Sequence, residues 1–499
     1  MTTTDHLPVI VGAGQVTNRD GEPREPLDLL VDAATAALDD ALVPAGHDLA
    51  SLLAVDVVSW LYEDLAARVA TRLGCATRRC GATGVGGDKP TRALAAVGRQ
   101  AAAEGGVHLV VGGEAMRSVQ KAVSSGAAAY WTPTPAGGAP PDPKDYVSPE
   151  AYRHGLTWPS TVYPLYEHGL RAALGQTRAE AQAWSAALWS RLSEVAAPQT
   201  GAWFHDPVGP ERLLRIDDGN RMICDPYPKL MNALLGVDQA AAAVVTDVAT
   251  ARQLGVTDDR MVHLWAEAGA NDSSDVLARV GYDRSPAMER TLDDAITAAG
   301  ISGRGRDGFA AVELYSCFPC VPKLALRHLG WPPDAEISVT GGLTFFGGPG
   351  NAYMLCAAAA MLAALRSVDD DRPALLYGQG EFVTKHHALV VGRSARPGGA
   401  LPPGDEEARQ RLVDAEPSPP VTTAPDGTGQ IETSTVEFDR EGSPARAIAA
   451  GRLTDGRRFV AHDTDTDDLA CLLDPEGEPV GRKVTVTGGR DQPNRFALA

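Results

Sequence analysis

The chain carries a few residues whose types and spacing suit acyl or carbonyl chemistry. Cys317-Phe318-Pro319-Cys320 sets two thiols three residues apart, two positions beyond Tyr315. A cysteine can move a proton, attack a carbonyl or bind a metal. No second such pair completes a zinc site, and a thioredoxin motif would follow the first strand, so metal binding and disulfide exchange are disfavoured. Two glycine runs can present backbone N–H groups to a carbonyl or an anion. One is Gly84-Val85-Gly86-Gly87, ahead of Asp88; the other is Gly341 to Asn351, containing Gly347 and Gly348. Asp88 can equally cap the helix that it begins. In Lys385-His386-His387, one histidine can reach a cleft at the end of a sheet; a solvated turn is the plainer reading. Gly12-Ala13-Gly14 lacks the third glycine of a dinucleotide fingerprint, since Thr17 stands there, and reads as a tight turn after a strand. Cys75 and Cys80 read as small buried hydrophobes.

The elements that must position these residues alternate strand and helix. Strands are expected at 7–11, 55–58, 78–83 and 107–111, with helices at 26–42, 64–73 and 88–103. The pattern resumes with strands at 240–245, 262–266, 310–314, 336–339, 374–377 and 388–391, and helices at 286–299, 321–329 and 351–366. This predicts a mainly parallel sheet covered by helices. Residues 117–235 interrupt it as a large insertion rich in Pro, Gly, Trp and Tyr. Such insertions often line binding sites, and a helix is expected at 178–195. A Pro/Gly-rich linker at 396–420 precedes a tail, 421–499, whose alternating stretches such as Ile431 to Phe438 predict a small, OB-like β-barrel or sandwich.

Composition narrows the function classes. A chain of 499 residues, 44% hydrophobic and 22% charged, is globular and long enough for two or three domains. The longest apolar run, Met354 to Leu365, is about half a membrane span. No secretory signal is evident. Seven scattered cysteines favour free thiols and a cytoplasmic location. A net charge of −19 disfavours nucleic acid and membrane surfaces but leaves a small anionic ligand open. The tail lacks the basic, aromatic-rich surface that single-stranded nucleic acid needs.

Four segments in order resemble the thiolase superfamily over residues 1–395. Gly84 to Gly113 resembles the nucleophile turn, its helix and the following strand. Val237-Asp238-Gln239-Ala240-Ala241-Ala242 resembles the Ser-Asp-Gly-Ala-Ala entry. Tyr315-Ser316-Cys317-Phe318 is similar to Asn-Glu-Ala-Phe, or to His-Asp-Cys-Phe of sterol-carrier-protein thiolases. Gly341 to Ala352 resembles the Gly-His-Pro turn. Asn220-Arg221-Met222-Ile223 and the extra tail resemble thiolase-like protein type 1, a branch often labelled acetyl-CoA acetyltransferase.

The resemblance implies a thiolase fold: α/β, two similar βαβ halves layered αβαβα, with the loop insertion and a small all-β, OB-like C-terminal domain. The halves would cover 1–255 and 256–395. It also implies coordinated losses. Gly87, or a residue directly either side of it, stands at the nucleophilic cysteine, Gly348 at the oxyanion-hole histidine, and Tyr377-Gly378-Gln379-Gly380 replaces the late Cys-x-Gly; none of these places carries the expected side chain. Conventional thiolysis is therefore not expected. By resemblance Cys317 becomes the acid/base and Tyr315 its orienter, with His386 the third catalytic candidate. Gly86, Gly87, Asp88, Gly347 and Gly348 are the expected substrate-binding residues. The expected ligand is an acyl-CoA or related thioester, with no tightly bound cofactor and no metal. A non-catalytic CoA-binding or scaffold protein and a retro-aldol lyase stay open. The tail could recruit a protein partner or cover the sheet edge through which thiolases dimerise, so both monomer and homodimer are open.

Overall fold

The computed structural model describes residues 4–138, 142–402, 404–489 and 492–499. Pro403, within the expected linker, and Met1 to Thr3 lie outside the described residues. Sixteen strands are assigned among them. They are β1 (Pro8–Thr17), β2 (Ser51–Ala54), β3 (Cys80–Ala82), β4 (His108–Ala115), β5 (Met222–Cys224), β6 (Tyr227–Pro228), β7 (Asp238–Asp247) and β8 (Val262–Asn271). They continue as β9 (Ala311–Leu314), β10 (Ala374–Gly380), β11 (Lys385–Gly392), β12 (Asp426–Phe438), β13 (Pro444–Leu453), β14 (Arg458–Asp463), β15 (Lys483–Gly489) and β16 (Gln492–Leu498).

Nine strands form one sheet, β3-β2-β4-β7-β1-β8-β11-β10-β9. The order after β1 mirrors the order before it, with β8, β11, β10 and β9 standing for β1, β7, β4 and β2. The two halves meet where β1 pairs antiparallel with β8 at Val9–His263 and Ile10–Val262. Side-chain alternation splits the first half's core between two faces. Ile10, Val110, Ala241 and Val245 join the large core with the helices Lys89–Glu104 and Tyr353–Ser367. Val9, Val11, Leu109 and Val111 join a second core under the helix Pro26–Asp40.

Several expectations need correction. The sheet is mixed rather than mainly parallel. Only β2–β3, β2–β4 and β9–β10 run parallel, because β7 and β11 return antiparallel through the middle. Gly12 and Gly14 lie inside β1, not in a turn. A Cβ at Gly14 would fall 2.2 Å from the Ala33 carbonyl oxygen, so the glycines let the helix Pro26–Asp40 press onto the strand. The expected strand at 336–339 is absent. Leu314 N–H reaches the Ile337 carbonyl at 2.8 Å, but the Val339 and Thr340 N–H groups turn to the buried Glu313 carboxylate. Lys385-His386-His387 is no solvated turn but the start of β11, with both imidazoles buried. Cys80 is exposed and Cys75 half-buried on the short β3 side of the sheet.

The tail closes on itself in the order β12-β13-β14-β16-β15-β12, with the helix Thr466–Leu473 between β14 and β15. β14 and β16 run parallel and the other barrel pairs antiparallel. Ile431, Phe459, Val484 and Phe496 fill the interior. The insertion's β5–β6 hairpin joins the barrel at Glu437–Cys224, so the barrel leans on the insertion. It does not cover the β3 edge, where Cys80 and Ala82 stay exposed. The expected linker contains a helix, Glu406–Asp414, whose Arg409 donates to the Gly269 carbonyl at 2.9 Å. No helix among the described residues is long and apolar enough to cross a membrane.

Candidate functional site

A cavity of about 610 Å³ lies between the two halves and under the insertion. The first half contributes Val85, Gly86 and Gly87, and the second Tyr315, Cys317 and Gln379. The insertion adds Tyr163 from the helix Pro159–Ala173, and the mouth carries Trp158 and Leu235. Trp158 is 60% exposed, so the opening is apolar and aromatic.

At its floor, the single Tyr163 hydroxyl proton is shared between Gln379 Oε1, at 2.9 Å, and the Glu381 carbonyl. Its ring stacks on Phe318, 4.5 Å between centroids. Cys317 Sγ sits 3.7 Å from the same Gln379 oxygen. Burial pushes the Cys317 thiol up to about 12, against a smaller lowering by Tyr163. It pushes the Tyr163 and Tyr315 hydroxyls well above their ordinary range too, reinforced by Cys317. All three groups therefore hold their protons at neutral pH and act as donors.

The glycine turns meet here. Gly86 N–H donates to Asn351 Oδ1 at 2.9 Å, and Asn351 Nδ2 donates to the Asp56 carbonyl at 2.8 Å. Lys385 reaches the Val85 carbonyl at 3.1 Å and pairs with Glu381, tying the first turn to the β10–β11 hairpin. In that hairpin Glu381 and Val383 adopt φ of 57° and 55°. A β-branched residue there costs about 1–2 kcal/mol or more, so the surroundings must impose it.

The expected site residues divide. Tyr315, Cys317, Gly86 and Gly87 line the cavity. Asp88 is buried beside it; one carboxylate oxygen accepts from Arg92 at 2.7 Å and the other has no hydrogen-bond partner among the described residues. His386 faces elsewhere, 2.7 Å from the Tyr377 hydroxyl and 3.2 Å from Ser285 Oγ. Gly347 packs on Gln239, and the Gly348 N–H goes to the Leu234 carbonyl at 2.9 Å. That N–H is not free for a substrate. Sequence reasoning passed over Tyr163, Gln379 and Asn351. Their only signals were the insertion's aromatics and the two altered motifs.

A side chain at the three glycines where the resemblance implies catalytic residues would find little room, least of all at Gly87. A Cβ at Gly87 would lie 2.3 Å from the Gln379 carbonyl oxygen and 2.6 Å from the Tyr315 hydroxyl. At Gly378 it would lie 3.1 Å from the Gly87 carbonyl oxygen, and at Gly348 3.1 Å from that of Leu234.

Paired βαβ halves with facing glycine turns define a thiolase-like protein. A family model described as the thiolase-like protein type 1 additional C-terminal domain matches residues 409–490. The crystal structure of a monomeric SCP2-thiolase like protein type 1 from Mycobacterium smegmatis aligns with a TM-score of 0.83 and 31% identity. The alignment covers 99% of each chain. The chain belongs to the SCP2-thiolase-like protein type 1 family. An Ltp2-ChsH2(DUF35) aldolase shares the fold at 18% identity and a TM-score of 0.58, over 78% of this chain and 98% of that one. An acetyl-CoA acetyltransferase from Syntrophomonas wolfei does so at 14% and 0.56, over 78% and 99%. Comparison with curated proteins finds no match.

Proposed function

We propose that the cleft binds an acyl-CoA or related thioester and that the protein does not carry out cysteine-dependent thiolysis. The observation that carries this reading is the Gly87 environment. The position of a nucleophile's Cβ is filled by the Gln379 carbonyl and the Tyr315 hydroxyl, while an apolar cavity stays open beside it. A thioester carbonyl placed there would meet the Tyr315 hydroxyl as a donor in place of a thiolate as an attacker. Incubation with acetyl-CoA should leave no covalent acyl group by intact-mass spectrometry, and calorimetry should detect coenzyme A thioester binding. An acylated cysteine would overturn the first part; no binding of any coenzyme A thioester tried would overturn the second.

The Tyr315 hydroxyl beside Cys317 favours a second reading, retro-aldol cleavage of a β-hydroxyacyl thioester. The Cα–Cβ bond breaks, the thiol proton of Cys317 ends on Cα, and the β-hydroxyl proton returns to the sulfur. Tyr315 would hydrogen-bond the thioester oxygen as the enolate forms. The burial that holds Cys317 as a thiol suits the donating step and opposes it as an initial base. Cleavage of β-hydroxyacyl-CoA that survives both Cys317→Ala and Tyr315→Phe would remove these residues from the reaction. Binding without turnover supports the non-catalytic alternative.

A further inference from the structure

We infer that the C-terminal barrel is a built-in support for the cleft, with Arg458 and Thr433 as its positioning residues. Arg458, on β14, has no exposed surface. Its guanidinium leaves the barrel and donates to the Leu277 carbonyl at 2.9 Å and the Arg279 carbonyl at 2.5 Å. Glu432 of β12 holds its other side at 2.7 Å. The segment it fixes carries Arg279, also buried, whose guanidinium donates to the Val383 carbonyl at 2.5 Å, the Phe382 carbonyl at 3.2 Å and Thr384 Oγ1 at 2.7 Å. Those acceptors make up the turn with left-handed Glu381 and Val383, and Glu381 and Phe382 line the cavity. Two buried arginines in series thus link the barrel wall to the strained turn at the cleft.

A second link runs to the opposite wall. Thr433 of β12 donates to the Leu165 carbonyl at 2.6 Å, on the helix that holds Tyr163. Tyr163 in turn donates to the Glu381 carbonyl, so both supported elements meet over Gln379 and Cys317. A backbone held in sparsely populated geometry persists only while its surroundings impose it. The barrel supplies part of that imposition, which gives the additional domain a role that needs no partner protein.

The closing experiment reads thiol accessibility in the full-length protein. It stands apart from the thioester reading because it needs no ligand. Cys317 lines the cavity that the supported elements wall, whereas Cys356, buried on the helix Tyr353–Ser367, does not line it and reports global opening. Peptide-level mass spectrometry follows iodoacetamide labelling of both. Arg458→Met keeps bulk and leaves Glu432 paired with Arg452 at 2.7 Å. It should raise Cys317 labelling about tenfold with Cys356 unchanged, the mark of local opening. Arg458→Lys should rescue part of the protection. Equal rises at both cysteines, or no rise at Cys317, overturn the inference. Should Arg458→Met fail to accumulate, the isosteric Thr433→Val carries the same test, with a smaller selective rise of about threefold expected. Loss of acetyl-CoA binding in the variants concerns the thioester reading; the labelling result holds without it.

Discussion

Gly87 and Gly348 are the positions at which the thiolase resemblance would set the nucleophile and the oxyanion-hole histidine, and their surroundings leave different amounts of room. Around Gly87 the added Cβ meets a carbonyl at 2.3 Å and a phenol at 2.6 Å. Around Gly348 the nearest atom is the Leu234 carbonyl oxygen at 3.1 Å, and the next two are side-chain carbons at 3.5 and 3.6 Å. At the first position Tyr315 from the other half and the Gln379 carbonyl occupy the space that a side chain would need. At the second the space is only tight, and the Gly348 N–H is committed to the Leu234 carbonyl of a neighbouring loop. A catalytic residue whose space is filled cannot be restored by one substitution, whereas one whose space is merely tight can be approached.

The comparison breaks first at Gly87→Cys. Overpacking against backbone should destabilise the fold by about 3 kcal/mol, and the variant should gain no acylation by acetyl-CoA. A stable, acylated variant in a urea melt with mass spectrometry would show that the space reopens freely. Tyr163→Phe comes next, at about 2 kcal/mol, since the one proton shared by Gln379 Oε1 and the Glu381 carbonyl is lost, although Gln379 Nε2 still donates to that carbonyl at 2.9 Å. A loss confined to a few tenths by chemical denaturation would mean that water replaces the hydroxyl.

A smaller effect belongs to pH. Burial raises the Cys317 thiol to about 12 in the folded protein from an ordinary 9.0. Below pH 9 both states keep the proton and the thiol is neutral to stability. As pH rises above 9 the unfolded chain releases its proton first, so the folded state loses ground until about 12. Between pH 9 and 10 the wild type should lose about 1 kcal/mol more than Cys317→Ser. Equal slopes in parallel denaturation curves would place the thiol in contact with water. Gly348→Ala closes the series, at under about 1 kcal/mol by thermal melting, with coenzyme A binding unchanged. A large loss there would make the two positions equivalent after all.

Legibility in the sequence followed the range of the forces involved. The helices Pro26–Asp40, Lys89–Glu104 and Arg178–Ala196 came within two residues of their expected bounds, because periodicity and terminal signals are local. The β-barrel followed from period-two alternation in Ile431 to Phe438 and Lys483 to Val486. Strand direction did not, since β7 pairs with β1 and β4, and β11 with β8, across long connections. His386 was misplaced because a polar run looks like a turn until its partners, Tyr377 and Ser285, are in place. Tyr163 carried no signal of its own; a tyrosine in an insertion gains meaning only when a helix aims it at Gln379.

The sequence by itself determined the alternation of elements, the two glycine turns, the family resemblance and the absence of a cysteine at Gly87, all properties of residue identity and near neighbours. Tertiary structure alone decided that Tyr315 and the Gln379 carbonyl fill that position and that Gly348 has given away its N–H. It also decided that a barrel arginine more than fifty residues beyond the sheet braces the turn at the cleft. These are contacts between segments far apart in the chain, set by close packing, and no local pattern encodes which atoms will compete for the same space.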